Sequence, residues 1–289
     1  MTENSCRFLG NDLPAVSYKD SRLVIVPAPL EKTVSYGAGT ADAAEAILKA
    51  SGYVELYDEE FDKETCDIGI FTHAGLSNHL VQQEFFTELE KLTHRILQDN
   101  KFPVIIGGEH SLSIAPVRAA KKLFGTKLSV LQLDAHTDLR DSYEGSPHSH
   151  ASVMRRVHNE GTPAVAVGIR SLCKEEAVFM AENKYPVFFA KDIYSSNAWI
   201  SEVINKLPDN IYITFDIDAL DPTIISQTGT PEPGGMTWYQ TLELFQAIRA
   251  AGKHVVGFDL VEFAPGNDSS AEAFTCAKMI YKMIGYFCR

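Results

Sequence analysis

Paired cysteines are missing from this chain. Its five, Cys6, Cys66, Cys173, Cys276 and Cys288, are odd in number, scattered and without a C-x-x-C spacing. Neither a disulfide framework nor a thiolate zinc site is expected. A basic surplus is missing too: 26 Lys and Arg stand against 38 Asp and Glu, a net charge of −12. Nucleic-acid binding needs a basic footprint and is excluded, whereas cationic small molecules are mildly favoured. No apolar run approaches the roughly 20 residues that span a bilayer, so no membrane partner is expected. The stretch from Met1 to Arg7 lacks a basic segment followed by an apolar core. A signal peptide is therefore not expected, and the cytoplasm is the expected compartment. No Pro/Gly/Ser-rich linker, internal repeat or low-complexity tract divides the 289 residues. One domain over residues 1–289 follows, and 45% hydrophobic content is ample for its core.

What is present is an alternation of short β-rich runs with longer amphipathic stretches. Strands are predicted at 22–26, 103–106, 128–133, 164–167, 187–189, 211–215 and 255–258. Most are unbroken apolar runs, as strands buried on both faces should be. Helices are predicted at 41–50, 76–98, 112–123, 174–183, 198–207, 237–251 and 271–287. Thr237 with Gln240 three residues on forms a capping box, and Gly252 closes that helix. Such alternation implies an α/β fold with a parallel sheet between helical layers.

The most informative feature is Asp134-Ala135-His136-Thr137-Asp138, directly after the apolar run 128–133. Continued strand alternation would aim Asp134, His136 and Asp138 the same way. Asp216-Ile217-Asp218 follows the run 211–215 in the same manner, and Gly107-Gly108-Glu109-His110-Ser111 follows Val104-Ile105-Ile106. The paired glycines allow a tight turn and close backbone approach. Carboxylates clustered at strand ends need something cationic to neutralise them. Ligands of open α/β sheets bind beyond the carboxyl ends of the strands, so these clusters and the polar loops 139–150 and 222–236 should share one crevice. The inventory is His110, Asp134, His136, Asp138, Asp216 and Asp218. Six oxygen and nitrogen donors without thiolate suit Mn²⁺ above other divalent ions. Four carboxylates balance two such ions, and an ion pair of this kind activates water for hydrolysis.

Glu262 ends the apolar stretch 255–261 outside that set. A guanidinium is its best geometric partner, because the planar fork matches a carboxylate. His148 and His150 lie in the first polar loop, where either could pass a proton to a departing amine, or simply be solvated. Asp259, inside a strand, reads as structural, and Asp221 before Pro222 as a turn residue.

The segments Gly107–Ser111, Asp134–Asp138 and Phe215-Asp216-Ile217-Asp218-Ala219-Leu220-Asp221-Pro222 jointly resemble the signatures of the arginase–agmatinase family, the ureohydrolases, and the likeness runs from Ser35-Tyr36-Gly37 to the last helix. The resemblance implies a three-layer α/β/α sandwich around a mostly parallel eight-stranded sheet, with two Mn²⁺ per chain. It implies one ion on His110, Asp134, Asp138 and Asp216, and the other on His136, Asp134, Asp216 and Asp218. It implies that Glu262, in Glu262-Phe263-Ala264-Pro265, holds the substrate guanidinium. His150 falls where the family has its proton-shuttling histidine, with His148 close by, and Asp138 where a ligating carboxylate relays a proton. It also implies a homo-oligomer, trimer or hexamer.

Within the family the chain is most similar to agmatinases. Gly229-Thr230-Pro231-Glu232-Pro233-Gly234-Gly235 has the agmatinase form, and Leu139-Arg140-Asp141-Ser142-Tyr143 lacks the Asn and Ser with which arginases grip an amino-acid head group. Two departures from the family pattern are Ala43-Ala44, in place of Gly-Pro near the first helix, and Ala273-Phe274, in place of Thr-Ala in the segment before the last helix. The expected reaction is manganese-dependent hydrolysis of agmatine to putrescine and urea, a step of polyamine biosynthesis. Alternatives are the same chemistry on guanidinobutyrate, arginine or formiminoglutamate, for which Arg140 could meet the acidic end. A single-zinc deacylase of related fold and a non-catalytic relative stand further off.

Overall fold

The computed structural model describes residues 6–10, 13–196, 198–266 and 270–288; Met1–Ser5, the start of the N-terminal stretch discussed above, lie outside them. In chain order the elements are β1 (Leu23–Ala28), α1 (Ala43–Ser51), β2 (Tyr57–Asp58), β3 (Lys63–Glu64), β4 (Ile70–Thr72), α2 (Gln82–Gln98), β5 (Phe102–Gly107) and α3 (Ile114–Phe124). They continue with β6 (Leu128–Leu133), α4 (Val153–Asn159), β7 (Ala164–Ile169), α5 (Lys174–Asn183), β8 (Val187–Phe189), α6 (Ala190–Ile193) and α7 (Ala198–Lys206). The last four are β9 (Asn210–Asp216), α8 (Trp238–Ala250), β10 (His254–Val261) and α9 (Ser270–Phe287).

Eight strands form one sheet in the order β4-β1-β5-β10-β9-β6-β7-β8, and every pairing within it is parallel. Alternate residues feed opposite cores. Leu23, Ile25, Val104, Ile106, Leu131 and Leu133 pack with α1, α7, α8 and α9. Val24, Val26, Ile105, Leu128 and Val130 pack with α2, α3, α4 and α5. That two-sided burial explains why these strands read as unbroken apolar runs, and it gives the three-layer α/β/α sandwich. No helix among the described residues is long and apolar enough to cross a membrane.

Several predicted elements shift. The helix expected from 76 starts only at Gln82, because Leu76 N–H instead bonds Pro27 O at the end of β1. The edge strand β4 and the β2–β3 hairpin were not predicted; they are short, and β4 is half-exposed, so neither carries a long apolar run. Helices α4 and α6, of seven and four residues, are too short to show periodicity. The capping box on α8 is present: Thr237 Oγ1 accepts Gln240 N–H at 3.2 Å and Gln240 Oε1 accepts Thr237 N–H at 3.0 Å. Gly252 follows with φ +68°, the left-handed closure that glycine favours.

Candidate metal centre and active site

Strands β5, β10, β9 and β6 are consecutive neighbours in the middle of the sheet. Their C-terminal ends carry His110, Glu262, Asp216 with Asp218, and Asp134 with His136 and Asp138, respectively. Four segments far apart in sequence thus deliver all seven residues to one place. After β5 the chain turns at Gly108, where a Cβ would lie 2.0 Å from Leu30 O. Only glycine permits that approach, and the turn sets His110 into the 3-10 turn His110–Ser113.

The convergence does not arise by strand alternation. β6 ends at Leu133, and Asp138 is brought back by a left-handed backbone, φ +52°. Asp216 closes β9, but Asp218 sits in the 3-10 turn Ile217–Ala219, its N–H donating to Asp216 Oδ1 at 3.0 Å. Extended strands would have spread these ligands over two residue rises; tight turns gather them.

His110 Nδ1 lies 2.9 Å from Asp138 Oδ2, 3.3 Å from Asp134 Oδ2 and 3.5 Å from Asp216 Oδ2. It is buried and has no hydrogen-bond partner. His136 Nδ1 lies 2.9 Å from Asp218 Oδ2 and 3.7 Å from Asp134 Oδ1. Two ligand groups fit a divalent ion each: His110, Asp134 and Asp138, and Asp134, His136 and Asp218, with Asp134 common to both. A buried imidazole nitrogen facing three carboxylate oxygens, aligned with none of them as a hydrogen bond, fits a cation held among them. The second group goes beyond what a single-zinc site needs.

The electrostatics agree. Burial drives Asp216 well above the usual carboxylate range, with Asp218 and Asp134 adding to it. Burial also raises Asp134 and pushes Asp138 to about 7. Burial alone would lower the His136 imidazole, but Asp218 carries it to about 10. Asp218 moves down, because His136 outweighs the opposite push of burial. So dense a set of acids holds protons unless cations replace them.

The site opens into a cavity of about 280 Å³ whose wall includes His136, Asp138, Asp216, Asp218 and Glu262. Both polar loops add to the wall, Arg140, Tyr143 and His150 from the first and Thr228, Gly229, Thr230 and Glu232 from the second, and the segment 34–37 after β1 lines it as well. A larger cavity of about 970 Å³ lies against α8 and α9, beside Phe61, Tyr239 and Tyr286, and carries none of the ligands. Glu262 is 8% exposed, burial raises it to about 8, and among the described residues no Lys or Arg pairs with it. His150 borders the cavity and burial lowers its imidazole. His148 points elsewhere, its ring edge-on to Phe86.

Sequence reasoning missed the residues that hold this set. His110 Nε2 lies 2.8 Å from Thr214 Oγ1, which donates to Asp259 Oδ1 at 2.7 Å, so Asp259 reaches a ligand. Gln132 Nε2 donates to Asp134 Oδ2 at 2.8 Å. The Arg170 guanidinium donates to the carbonyls of Gly168, Asp218, Ala219, Leu220, Glu232 and Pro233. Glu109 gathers the segment after β1, described below. Asp221 is the turn residue expected, and it also accepts the N–H groups of Gly234 and Gly235. The only signals for these groups were polar residues inside otherwise apolar strands, Gln132, Thr214 and Asp259.

Comparison with known proteins gives a consistent set. A family model described as the arginase family matches residues 21–285. An N(1)-aminopropylagmatine ureohydrolase of Synechocystis is 40% identical over 278 residues, covering 94% of this chain and 90% of that protein. An agmatinase of Bacillus cereus is 34% identical over 275 residues, covering 93% and 92%. The crystal structure of an agmatine ureohydrolase of Thermoplasma volcanium superimposes with a TM-score of 0.85 at 28% identity, covering 93% of this chain and 91% of that one.

Proposed function

Since the chain belongs to the arginase family of ureohydrolases, we propose that it hydrolyses agmatine to putrescine and urea with two Mn²⁺ ions. The observation that carries this reading is the placement of Glu262. It is a buried carboxylate that pairs with no Lys or Arg among the described residues, in the same cavity wall as four of the six proposed ligands. A guanidinium satisfies it with two parallel hydrogen bonds.

The ions would be held by His110, Asp134, His136, Asp138, Asp216 and Asp218, whose oxygen and nitrogen donors suit manganese. When bound, such a pair supplies Lewis acidity and acidifies water near neutral pH. The protein's own groups do the rest. Glu262 fixes the guanidinium plane. His150 donates a proton to the departing amine, and Asp138, between ligand and cavity, passes protons to the same nitrogen. At the mouth, Glu232 is about one-third exposed, and Tyr36 and Tyr143 offer aromatic faces. A carboxylate and aromatic rings favour an ammonium at the far end of the substrate. Arg140, also in the cavity wall, lies 5.1 Å over the Tyr143 ring, which leaves Glu232 and Tyr36 as the groups that favour the ammonium.

A second reading has its own support. The relative named N(1)-aminopropylagmatine ureohydrolase is 40% identical, against 34% for the Bacillus agmatinase. That substrate carries the same guanidinium on a longer amine tail. The deciding measurement is urea release with Mn²⁺ from agmatine, N(1)-aminopropylagmatine, arginine and guanidinobutyrate, with formamide release from formiminoglutamate alongside. The agmatine reading holds if agmatine has the highest kcat/KM; a preference of tenfold or more for another compound on the panel overturns it. The same reading makes the chain a single-domain cytoplasmic homo-oligomer, a trimer or hexamer, which sedimentation of the purified protein tests.

A further inference from the structure

Glu109 is fully buried, yet it is no ligand and does not border the cavity. Its carboxylate collects neutral donors from three segments. Oε2 accepts the backbone N–H of Lys32 and, at 2.6 Å, that of Thr33. Oε1 accepts Thr33 Oγ1–H at 2.8 Å, the Ser111 hydroxyl, and Gln82 Nε2 at 3.4 Å. Gln82 also donates to His148 O at 2.9 Å. Thr33 in turn meets His150 twice: its Oγ1 accepts His150 N–H at 3.1 Å and lies 3.3 Å from His150 Nδ1.

The polarity of this chain of bonds follows from donor counting. A hydroxyl has one proton. Thr33 gives its proton to Glu109 Oε1, so toward His150 it can only accept. His150 Nδ1 must then carry a proton, which leaves Nε2 as the ring nitrogen available for proton exchange. Nε2 can then take a proton from solvent through the cavity that His150 borders and pass it to the departing amine. Once Nε2–H has been given away, the neutral ring left behind is already the tautomer that Thr33 stabilises. We propose that Glu109, acting through Thr33, is a positioning residue that fixes the tautomer and orientation of His150 for proton delivery. The proposal rests on the assignment of His150 above as the proton donor.

Two substitutions change the polarity while keeping the shape. In Glu109→Gln the amide NH₂ can donate to Thr33 Oγ1, which turns the Thr33 proton toward Nδ1 and favours the opposite tautomer. Thr33→Val removes the hydroxyl at nearly constant volume, and Thr33→Ser restores it. Loss of correctly placed acid catalysis is worth about 10²–10⁴ in rate, so kcat on the preferred guanidino substrate should fall at least about tenfold in Glu109→Gln and in Thr33→Val. KM and metal content should stay within about twofold, and Thr33→Ser should recover most of kcat. The double variant should lose no more than the worse single one, because both act on one bond. Independently of activity, ¹⁵N shifts of the His150 ring, measured with Mg²⁺ bound in place of Mn²⁺, should report Nδ1–H in the wild type and Thr33→Ser. They should report a changed proton position in the other two. Unchanged ¹⁵N shifts in Thr33→Val, or a Thr33→Ser as impaired as Thr33→Val, overturn the proposal. If His150→Asn kept full activity, the assignment of His150 would fail instead, and the ¹⁵N measurement would still decide what Glu109 does.

Discussion

Glu262 Oε1 accepts the backbone N–H of His110 at 2.6 Å. The residue proposed to hold the substrate and the first ligand of the proposed metal pair are therefore joined by one hydrogen bond between the ends of β10 and β5. Glu262 takes a left-handed backbone, φ +63°, and its own N–H bonds Gly108 O at 2.9 Å. A non-glycine residue held there is strained, and such strain gathers at functional sites.

Glu262→Gln follows directly. The amide oxygen can still accept from His110, so the fold and the metal content should remain near wild type. What disappears is the charge facing a guanidinium. A charge-assisted bond contributes about 1.5–3 kcal/mol against roughly 1 for a neutral one. With about 1.4 kcal/mol per decade, kcat/KM should fall at least about tenfold. Full activity on every guanidino compound, or loss of metal, would contradict the role given to Glu262.

The shifted acids predict how metal-free protein responds to pH. Asp138 rises from 3.8 to about 7, Glu262 from 4.5 to about 8, and His136 from 6.5 to about 10. Between roughly pH 4 and 8 the folded metal-free state thus binds more protons than the unfolded chain, and stability must fall as pH rises. His73, His148, His150 and His158, which burial lowers, act in the opposite sense at about pH 6, and the lowered Asp218 does so only below about pH 4. Metal binding displaces those protons, so its affinity rises with pH. Melting of metal-free protein from pH 5 to 8 should show a falling Tm, and added Mn²⁺ should stabilise more at pH 8 than at pH 5. A metal-free Tm that climbs steadily over this range would refute the assignment.

Thr214 links Asp259 to His110, and this link should tune metal affinity. The ring nitrogen of a ligating histidine that does not face the metal usually donates to a fixed acceptor, and losing it costs about 10–100-fold in affinity. Thr214→Val should therefore release Mn²⁺ to a chelator at about 10–100-fold lower concentration than wild type. Thr214→Ser should stay close to wild type. Asp134→Asn and Asp216→Asn, which alter proposed shared ligands, should abolish both retention and activity. Equal retention in Thr214→Val and wild type would show the link to be inert.

How much of this was legible in the sequence follows from the range of each interaction. The central strands were readable because burial on both faces makes them continuously apolar, and the proposed ligands stood out because polar clusters interrupt those runs at their ends. β4 was not readable, since Ile70, Phe71 and Thr72 form a half-exposed edge. The bonds from Glu109 to Thr33 and from Thr33 to His150 span 76 and 117 positions, and no local pattern encodes such partners. Asp259 read as structural because it lies inside a strand; its contact with a ligand's partner appears only when β10 lies beside β9.

Arg170 makes the last prediction. It stands just past β7, and its guanidinium ties the Asp218 turn to the loop that carries Glu232. Asp218 O is 2.6 Å from Nη2 and Glu232 O is 2.8 Å from the same nitrogen, while Nε reaches Glu232 O and Pro233 O at 3.2 and 3.1 Å. A lysine has three donors on one atom and cannot span carbonyls on opposite sides of a planar fork. Arg170→Lys should leave at least one buried carbonyl without its donor, at a cost of about 1–3 kcal/mol. For a chain of this size that lowers Tm by at least about 2–4 °C. The freed 228–232 wall should raise KM for the guanidino substrate more than it lowers kcat, because the loop shapes the cavity and supplies none of the proposed proton-transfer groups. Glu232→Gln keeps every backbone tie and should leave Tm unchanged, so it separates the loop's position from its charge. Unaltered Tm and KM in Arg170→Lys would mean that the loop is held without Arg170, by the Asp221 turn and by the bonds of Ser226, Gln227 and Gly229 to Glu272, Ala264 and Gly37.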